Sequence, residues 1–504
     1  MSTDRISSRL RNLPTLIPAK LWFVIIVAFL LRLYHLGYHN LWHDEMCSFF
    51  EFYPLKNLLR FWDPPLYFSI LAGWTKIFGF SEFSLRFPSL LFSSASIPVL
   101  YLLGKELFNK SAGLYAAAIA ALSPFYLWYA QEARSYSLML FLALLSGYFQ
   151  FLFIKRREDK FLYWCVISSI LGIYTHQYYI FFAITQLICC ITLCGKKWSV
   201  KILIVSLLVP LSFIPQLRGF WPRMSLIRKS WWPPPSNWKS LLITIENFNL
   251  GYNSHLFAYL IFNILSLILF ISAIWLIKRE KSIRRAFIFC LILFIVPILL
   301  AFIFSKLVAS IYLYRGLIIS TPYYYLILGL GISAFRKRAL KFIVIGFTSS
   351  LLIVGVYGFY KDWMPTEYFH HVGVHLKKPV KPVAEFIMNN SGPNDIIAFT
   401  NDSIVFPFLW YSEKNNFLLF LTNPHYYMKK KSAYRNPFSR KYCFIFGPKY
   451  LTYEFGQPRK ENKYYIPLHK VNSFKFENLW LLSCNWPRDG NLDENSIVVR
   501  KWLD

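Results

Sequence analysis

Residues 21–37 read LWFVIIVAFLLRLYHLG and residues 38–45 read YHNLWHDE. The first run is apolar over nearly the length a bilayer-crossing helix needs, about 20 residues. It follows Arg5, Arg9, Arg11 and Lys20 and has no small-residue cleavage site, so it reads as an uncleaved anchor whose N-terminus stays in the cytoplasm. The second run brings an adjacent carboxylate pair, Asp44 and Glu45, to the outer edge of the membrane behind Trp42 and His43. A carboxylate at that boundary is partly desolvated and suited to general-base work, although a solvated loop would carry the same residues.

The rest of the chain repeats the apolar theme. Of 504 residues 56% are hydrophobic and only 16% charged, which excludes disorder and small disulfide scaffolds and favours a membrane protein. The 55 Lys plus Arg against 25 Asp plus Glu would suggest nucleic acid in a soluble chain. Here the basic residues sit in short clusters between apolar runs, so no nucleic-acid partner is expected.

Further runs lie near 87–103, 112–129, 136–154, 161–176, 178–194, 202–217, 255–277, 286–304, 316–334 and 342–359, giving about eleven spans. Linkers on the N-terminal side then hold 22 basic residues and the opposite short linkers 12, which fixes the orientation. Counting Pro64–Phe80 as a span would invert this pattern. We read it as a helix lying along the outer face within the first outer loop, 38–86, with Pro64-Pro65 at its start. The outer loop 218–253, with Trp221, Trp231, Trp232 and Trp238, reads as an interfacial belt with a second surface helix.

The expected organisation is a polytopic α-helical transmembrane domain over 1–359 and a small extracytoplasmic α/β domain over 360–504. In the latter a helix is expected at Val380–Asn390, and strands at Asp395–Thr400, Phe417–Leu421, Tyr442–Phe446 and Leu479–Cys484. Cys443 and Cys484 share that domain and could pair in an oxidising compartment.

Outward turns collect the remaining polar chemistry. Gln131-Glu132-Ala133-Arg134-Ser135-Tyr136 lies between two apolar walls, as do Thr175-His176-Gln177-Tyr178 and Tyr312, Tyr314 and Arg315. The fixed donor fork of arginine suits a lipid phosphate, while interfacial snorkelling explains a lone arginine equally well. His39, four residues before His43, could clip a divalent ion with Asp44 or Glu45 if the segment is helical.

Four motifs carry a resemblance: Trp42-His43-Asp44-Glu45; Asp63-Pro64-Pro65-Leu66-Tyr67-Phe68; Ser81-Glu82-Phe83-Ser84-Leu85-Arg86-Phe87-Pro88; and Leu122-Ser123-Pro124 running into Gln131–Tyr136. With Thr175-His176-Gln177-Tyr178-Tyr179 they are similar, in order and spacing, to membrane glycosyltransferases of the GT-C fold, nearest the protein O-mannosyltransferase and lipid A aminoarabinose transferase group. That resemblance implies an enzyme that moves a sugar, with inversion, from a polyprenyl-phosphate donor to a hydroxyl acceptor on a glycan, lipid or protein, at the outer face of a bacterial inner membrane. It implies Asp44 as base with Glu45 beside it, and Arg134 on the donor phosphate. His176 and Arg315 would assist there, with Gln131, Glu132, Tyr136, Arg86 and Asp63 in support. The family often has Lys or His where Asp63 stands, so a phosphate-binding role does not carry over to that position. No cofactor is required by this chemistry, and a divalent ion could assist. A transporter or flippase of lipid-linked glycans is the rival reading; it would place its ionisable groups at mid-membrane, in repeated halves.

Overall fold

The computed structural model describes residues 18–52, 63–194, 196–217, 224, 233–365, 368–377, 379–390, 396–399, 406–412, 453–454, 457–458 and 479–482. Two compact units are present: one is 1–36, 86–215 and 233–374, the other 37–85, 216–232 and 375–504.

A helix underlies each of the eleven apolar runs in the sequence. Among the described residues, six helices are long and apolar enough to cross a membrane: Glu82–Leu107, Tyr136–Arg156, Leu256–Arg279, Lys281–Leu307, Tyr314–Ala334 and Arg338–Tyr360. The bent pair Lys110–Leu122 and Pro124–Ala130 would make a seventh. Tyr179–Cys194 and Ile202–Gln216 are shorter apolar helices, so the expected count of eleven spans is not reached by length among the described residues. Side chains such as Phe257, Ile271, Phe342, Ile343 and Ile353 are exposed on the outer faces, an arrangement that water disfavours and a bilayer accommodates. The chain is a multi-pass membrane protein.

In the first unit the Tyr314–Ala334 segment is the central element, with 94% of its apolar window buried. It packs on Lys110–Leu122 and Leu256–Arg279. Small residues allow that approach: a Cβ on Gly329 would stand 2.5 Å from the Ala112 carbonyl oxygen, so any larger side chain would force the helices apart.

The bent pair positions the candidate site. Pro124 has no N–H to donate, and it holds Ser123 in extended backbone, so the helix breaks there by 57°. Ser123 Oγ accepts from Tyr126 N–H at 3.2 Å and thereby caps the next helix. The break leaves carbonyls at the end of the first helix without helical partners. Arg32, fully buried in the Ala19–Leu33 helix, donates to two of them, Ala120 O at 3.0 Å and Ala121 O at 3.1 Å, and to Ser93 Oγ at 2.8 Å. Gln131 then donates back to the Arg32 and Tyr34 carbonyls at 3.0 and 2.6 Å. The turn that follows is thus anchored at its first residue.

In the second unit the His43–Phe52 and Leu66–Phe78 helices pack together. Pro65 stands at the start of the latter and Gly79, with φ 73°, ends it. Tyr411, in a short helix at 406–412, accepts from Leu41 N–H at 2.8 Å and donates to Glu82 Oε1 at 2.9 Å. The helix Val380–Asn390 forms as expected, and Ile396–Phe399 pairs in parallel with Leu479–Leu482. A second, antiparallel pair joins Tyr453–Glu454 to Gln457–Pro458. The expected strands at Phe417–Leu421 and Tyr442–Phe446, and Cys443 and Cys484, lie outside the described residues.

Candidate active site

Two groups of side chains carry the candidate chemistry, one in each unit. In the first unit Tyr136 is the hub. Its ring lies 5.2 Å from that of His176, the Arg315 guanidinium stands 5.7 Å from its centre, and Tyr129 packs edge-on at 4.9 Å. Three turns separate in sequence therefore meet around one aromatic ring. Arg134 is half-buried on the same turn as Tyr136, where its carbonyl accepts from Ser89 Oγ at 3.2 Å and its N–H donates to Glu132 O at 2.8 Å. Gln131 and Glu132 are buried.

The tautomer of His176 follows from its backbone contact. Nδ1 accepts from Tyr178 N–H at 3.1 Å, which in a neutral ring puts the proton on Nε2 as a donor. Tyr178 locks this turn to the next, since its hydroxyl donates to Ile311 O and accepts from Leu313 N–H at 3.0 Å. Arg315 is half-buried and donates through Nη1 to Gly373 O at 3.0 Å. Near it the Tyr252 hydroxyl shares a 2.6 Å hydrogen bond with Tyr129. Burial holds the Tyr252 phenol well above its ordinary pKa, opposed by the Tyr129 hydrogen bond and the Arg315 charge, so this hydroxyl stays protonated. Around Tyr136 there are consequently the Arg315 cation and hydrogen donors, which an anionic oxygen group requires, with the buried Glu132 carboxylate acting on the same tyrosines.

In the second unit Asp44 and Glu45 occupy the first turn of the His43–Phe52 helix, where the helix N-terminus favours negative charge. One residue apart on a helix, their side chains point about 100° away from each other, so they serve different partners. Glu45 is 1% exposed; its Oε1 lies 3.5 Å from Lys377 Nζ, and Oε2 accepts from Trp42 N–H at 3.4 Å. Asp44 is only half-buried. Of the two it is the more accessible residue.

Two of the expected supporting residues lie near the ends of helices. Arg86 is 1% exposed and donates through Nη1 to Leu36 O at 3.0 Å, a backbone anchor. Asp63 is half-buried just ahead of the Leu66–Phe78 helix. The metal clip needed His39 and His43 on one helical face. The helix begins only at His43, and His39 sits in the bend before it, so that spacing is not formed. Among the described residues no group of three or more His, Cys, Asp or Glu could hold a metal ion. Lys377 was not foreseen from sequence; its signal was the Lys-Lys-Pro run just ahead of an amphipathic helix.

Comparisons with known proteins bear on this arrangement. A family profile described as dolichyl-phosphate-mannose-protein mannosyltransferase matches residues 63–217, less than a third of the chain. The structure of ArnT from Cupriavidus metallidurans in the apo state is similar at 13% identity, TM-score 0.56, covering 78% of this chain and 84% of that one. The same protein bound to undecaprenyl phosphate is similar at 14% identity and TM-score 0.54, covering 81% and 89%. No curated protein sequence matches the chain. The chain has the GT-C fold of membrane glycosyltransferases.

Proposed function

We propose that the protein is an inverting glycosyltransferase taking a sugar from a polyprenyl-phosphate donor at the outer face of a bacterial inner membrane. The observation that carries this reading is the meeting of Arg315, Tyr136 and His176 from separate turns, on a fold shared with a structure that binds undecaprenyl phosphate. Eleven helices cross the membrane in this account, with the N-terminus inside. Leu66–Phe78 and Trp238–Leu250 lie along the outer surface, and residues from 360 onward form a small extracytoplasmic α/β domain.

The chemistry runs in one displacement. Asp44 removes the proton of the acceptor hydroxyl as its oxygen attacks the anomeric carbon. The bond from that carbon to the phosphate oxygen breaks, and the polyprenyl phosphate leaves with its added charge met by Arg134, Arg315 and the Nε2–H of His176. Glu45, tied to Lys377, orients the acceptor or the sugar. A retaining route would need a second carboxyl group as nucleophile about 5 Å away across the same carbon, which the divergent directions of Asp44 and Glu45 disfavour. The acceptor is a hydroxyl of an envelope glycan, a lipid or a protein.

Cells lacking the protein are expected to accumulate one polyprenyl-linked sugar, identifiable by mass spectrometry of the lipid extract. An unchanged lipid-linked sugar profile would count against the donor assignment.

A further inference from the structure

Among the described residues, outside the groups given roles above, the first unit holds a buried acid–histidine pair that leads back to Arg315. Glu246 is the single acidic residue of the Trp238–Leu250 helix. Its Oε2 lies 3.0 Å from His370 Nε2, with side chains 13% and 7% exposed respectively. The other carboxylate oxygen accepts from Asn263 Nδ2 at 3.1 Å; Asn263 Oδ1 accepts from Asn249 Nδ2 at 3.0 Å, and Tyr324 donates to Asn249 Oδ1 at 2.7 Å. This network ties the carboxylate to the core of the helical unit. A buried hydrogen bond whose acceptor is held on its other side as well is strongly directional, because little water competes for it.

His370 is fixed on further sides. Its carbonyl accepts from Asn247 Nδ2 at 3.1 Å, and the Tyr259 ring stacks on the imidazole at 5.6 Å. The chain then turns tightly: Val374 N–H donates to His371 O at 2.8 Å, and Gly373 takes a positive φ of 75° that a side chain would resist. The carbonyl of that Gly373, three residues beyond the clamped histidine, receives Arg315 Nη1 at 3.0 Å. An arginine side chain has many rotamers, and a fixed acceptor on one nitrogen limits which way the remaining donors point.

We propose that Glu246 and His370 are positioning residues for Arg315: their hydrogen bond fixes the 370–374 turn, whose Gly373 carbonyl aims the guanidinium at the donor phosphate. The inference rests on the reading that Arg315 contacts that phosphate. Neither Glu246 nor His370 touches the donor; both act through the turn.

The test uses the full chain in nanodiscs, with undecaprenyl phosphate as the binding probe and donor kinetics as the second readout. His370→Ala is expected to weaken undecaprenyl phosphate about tenfold and to lower kcat/KM for the donor at least as much, with the acceptor KM within about twofold. His370→Gln, which can still donate to Glu246, should recover most of the loss. The decisive variant combines His370→Ala with Arg315→Ala and should bind no more weakly than Arg315→Ala alone, because both changes remove the same contact. Losses that add in the double variant would overturn the positioning role while leaving the phosphate role of Arg315 intact. Wild-type affinity in Arg315→Ala would reject the phosphate reading and the inference with it. Should His370→Ala not yield monodisperse protein, Glu246→Gln in the same cycle with Arg315→Ala gives the same comparison.

Discussion

Replacing Asp44 by Asn should lower kcat for sugar transfer by about 10²–10⁴-fold, the usual range for a lost general base. Asn keeps the size and polarity of the side chain and removes only its ability to take a proton. The helix around it should survive, since Asp44 is half-buried and Glu45, tied to Lys377 and the Trp42 backbone, is untouched. Membrane insertion and the elution profile of the purified variant should therefore match the parent. The measurement is release of labelled sugar from polyprenyl phosphate onto an acceptor-containing envelope fraction. An Asp44→Asn variant with near-parental turnover would remove this carboxylate from the mechanism and leave Glu45 or Glu132 as the acids to consider.

The second large effect is expected at Arg134. Charge-assisted hydrogen bonds to a phosphate contribute about 1.5–3 kcal/mol, so Arg134→Ala should cost about 10–150-fold in kcat/KM for the donor. The acceptor KM should hardly move. Arg134→Lys keeps the charge but loses the fork and should recover only part of the loss. The backbone of residue 134 is held by Ser89 and by Glu132 O, so removing the side chain leaves the turn in place. Equal losses for donor and acceptor would show that Arg134 supports the turn and does not bind the phosphate.

Much of the architecture was legible because apolar runs and their punctuation are local. Val380–Asn390 matches the helix expected from sequence, and Ile396–Phe399 and Leu479–Leu482 fall within their expected windows. Pro64-Pro65 likewise announced the Leu66–Phe78 helix. The break at Ser123 was not read, since residues 112–129 are apolar throughout and only Pro124 interrupts them. Arg32 was equally hidden: a charge inside an apolar run gives no hint that it closes the broken end of another helix at Ala120 and Ala121. Neither could spacing reveal that Lys377 meets Glu45, or that Glu246 and His370 form a pair, because those partners are brought together only by folding.

The site residues divide in the same way. Asp44, Arg134, His176 and Arg315 stood out because charge is rare among these apolar runs, and polar turns there invite a functional reading. Arg86 stood out for the same reason, and one of its donors meets the Leu36 carbonyl. Rarity of charge thus selects candidates without separating a residue that meets substrate from one that satisfies a buried carbonyl. Hydrogen-bond partners make that separation, and they are a property of the fold.

The central claim is that this chain breaks the bond between sugar and lipid phosphate. Its most direct test is to supply the purified protein in sealed liposomes with a radiolabelled polyprenyl-phosphate sugar and an acceptor-containing envelope fraction, and to measure polyprenyl phosphate formed alongside glycosylated acceptor. The account predicts the two in equal amounts. Intact lipid-linked sugar appearing on the opposite leaflet, with no polyprenyl phosphate released, would contradict it and identify a transporter.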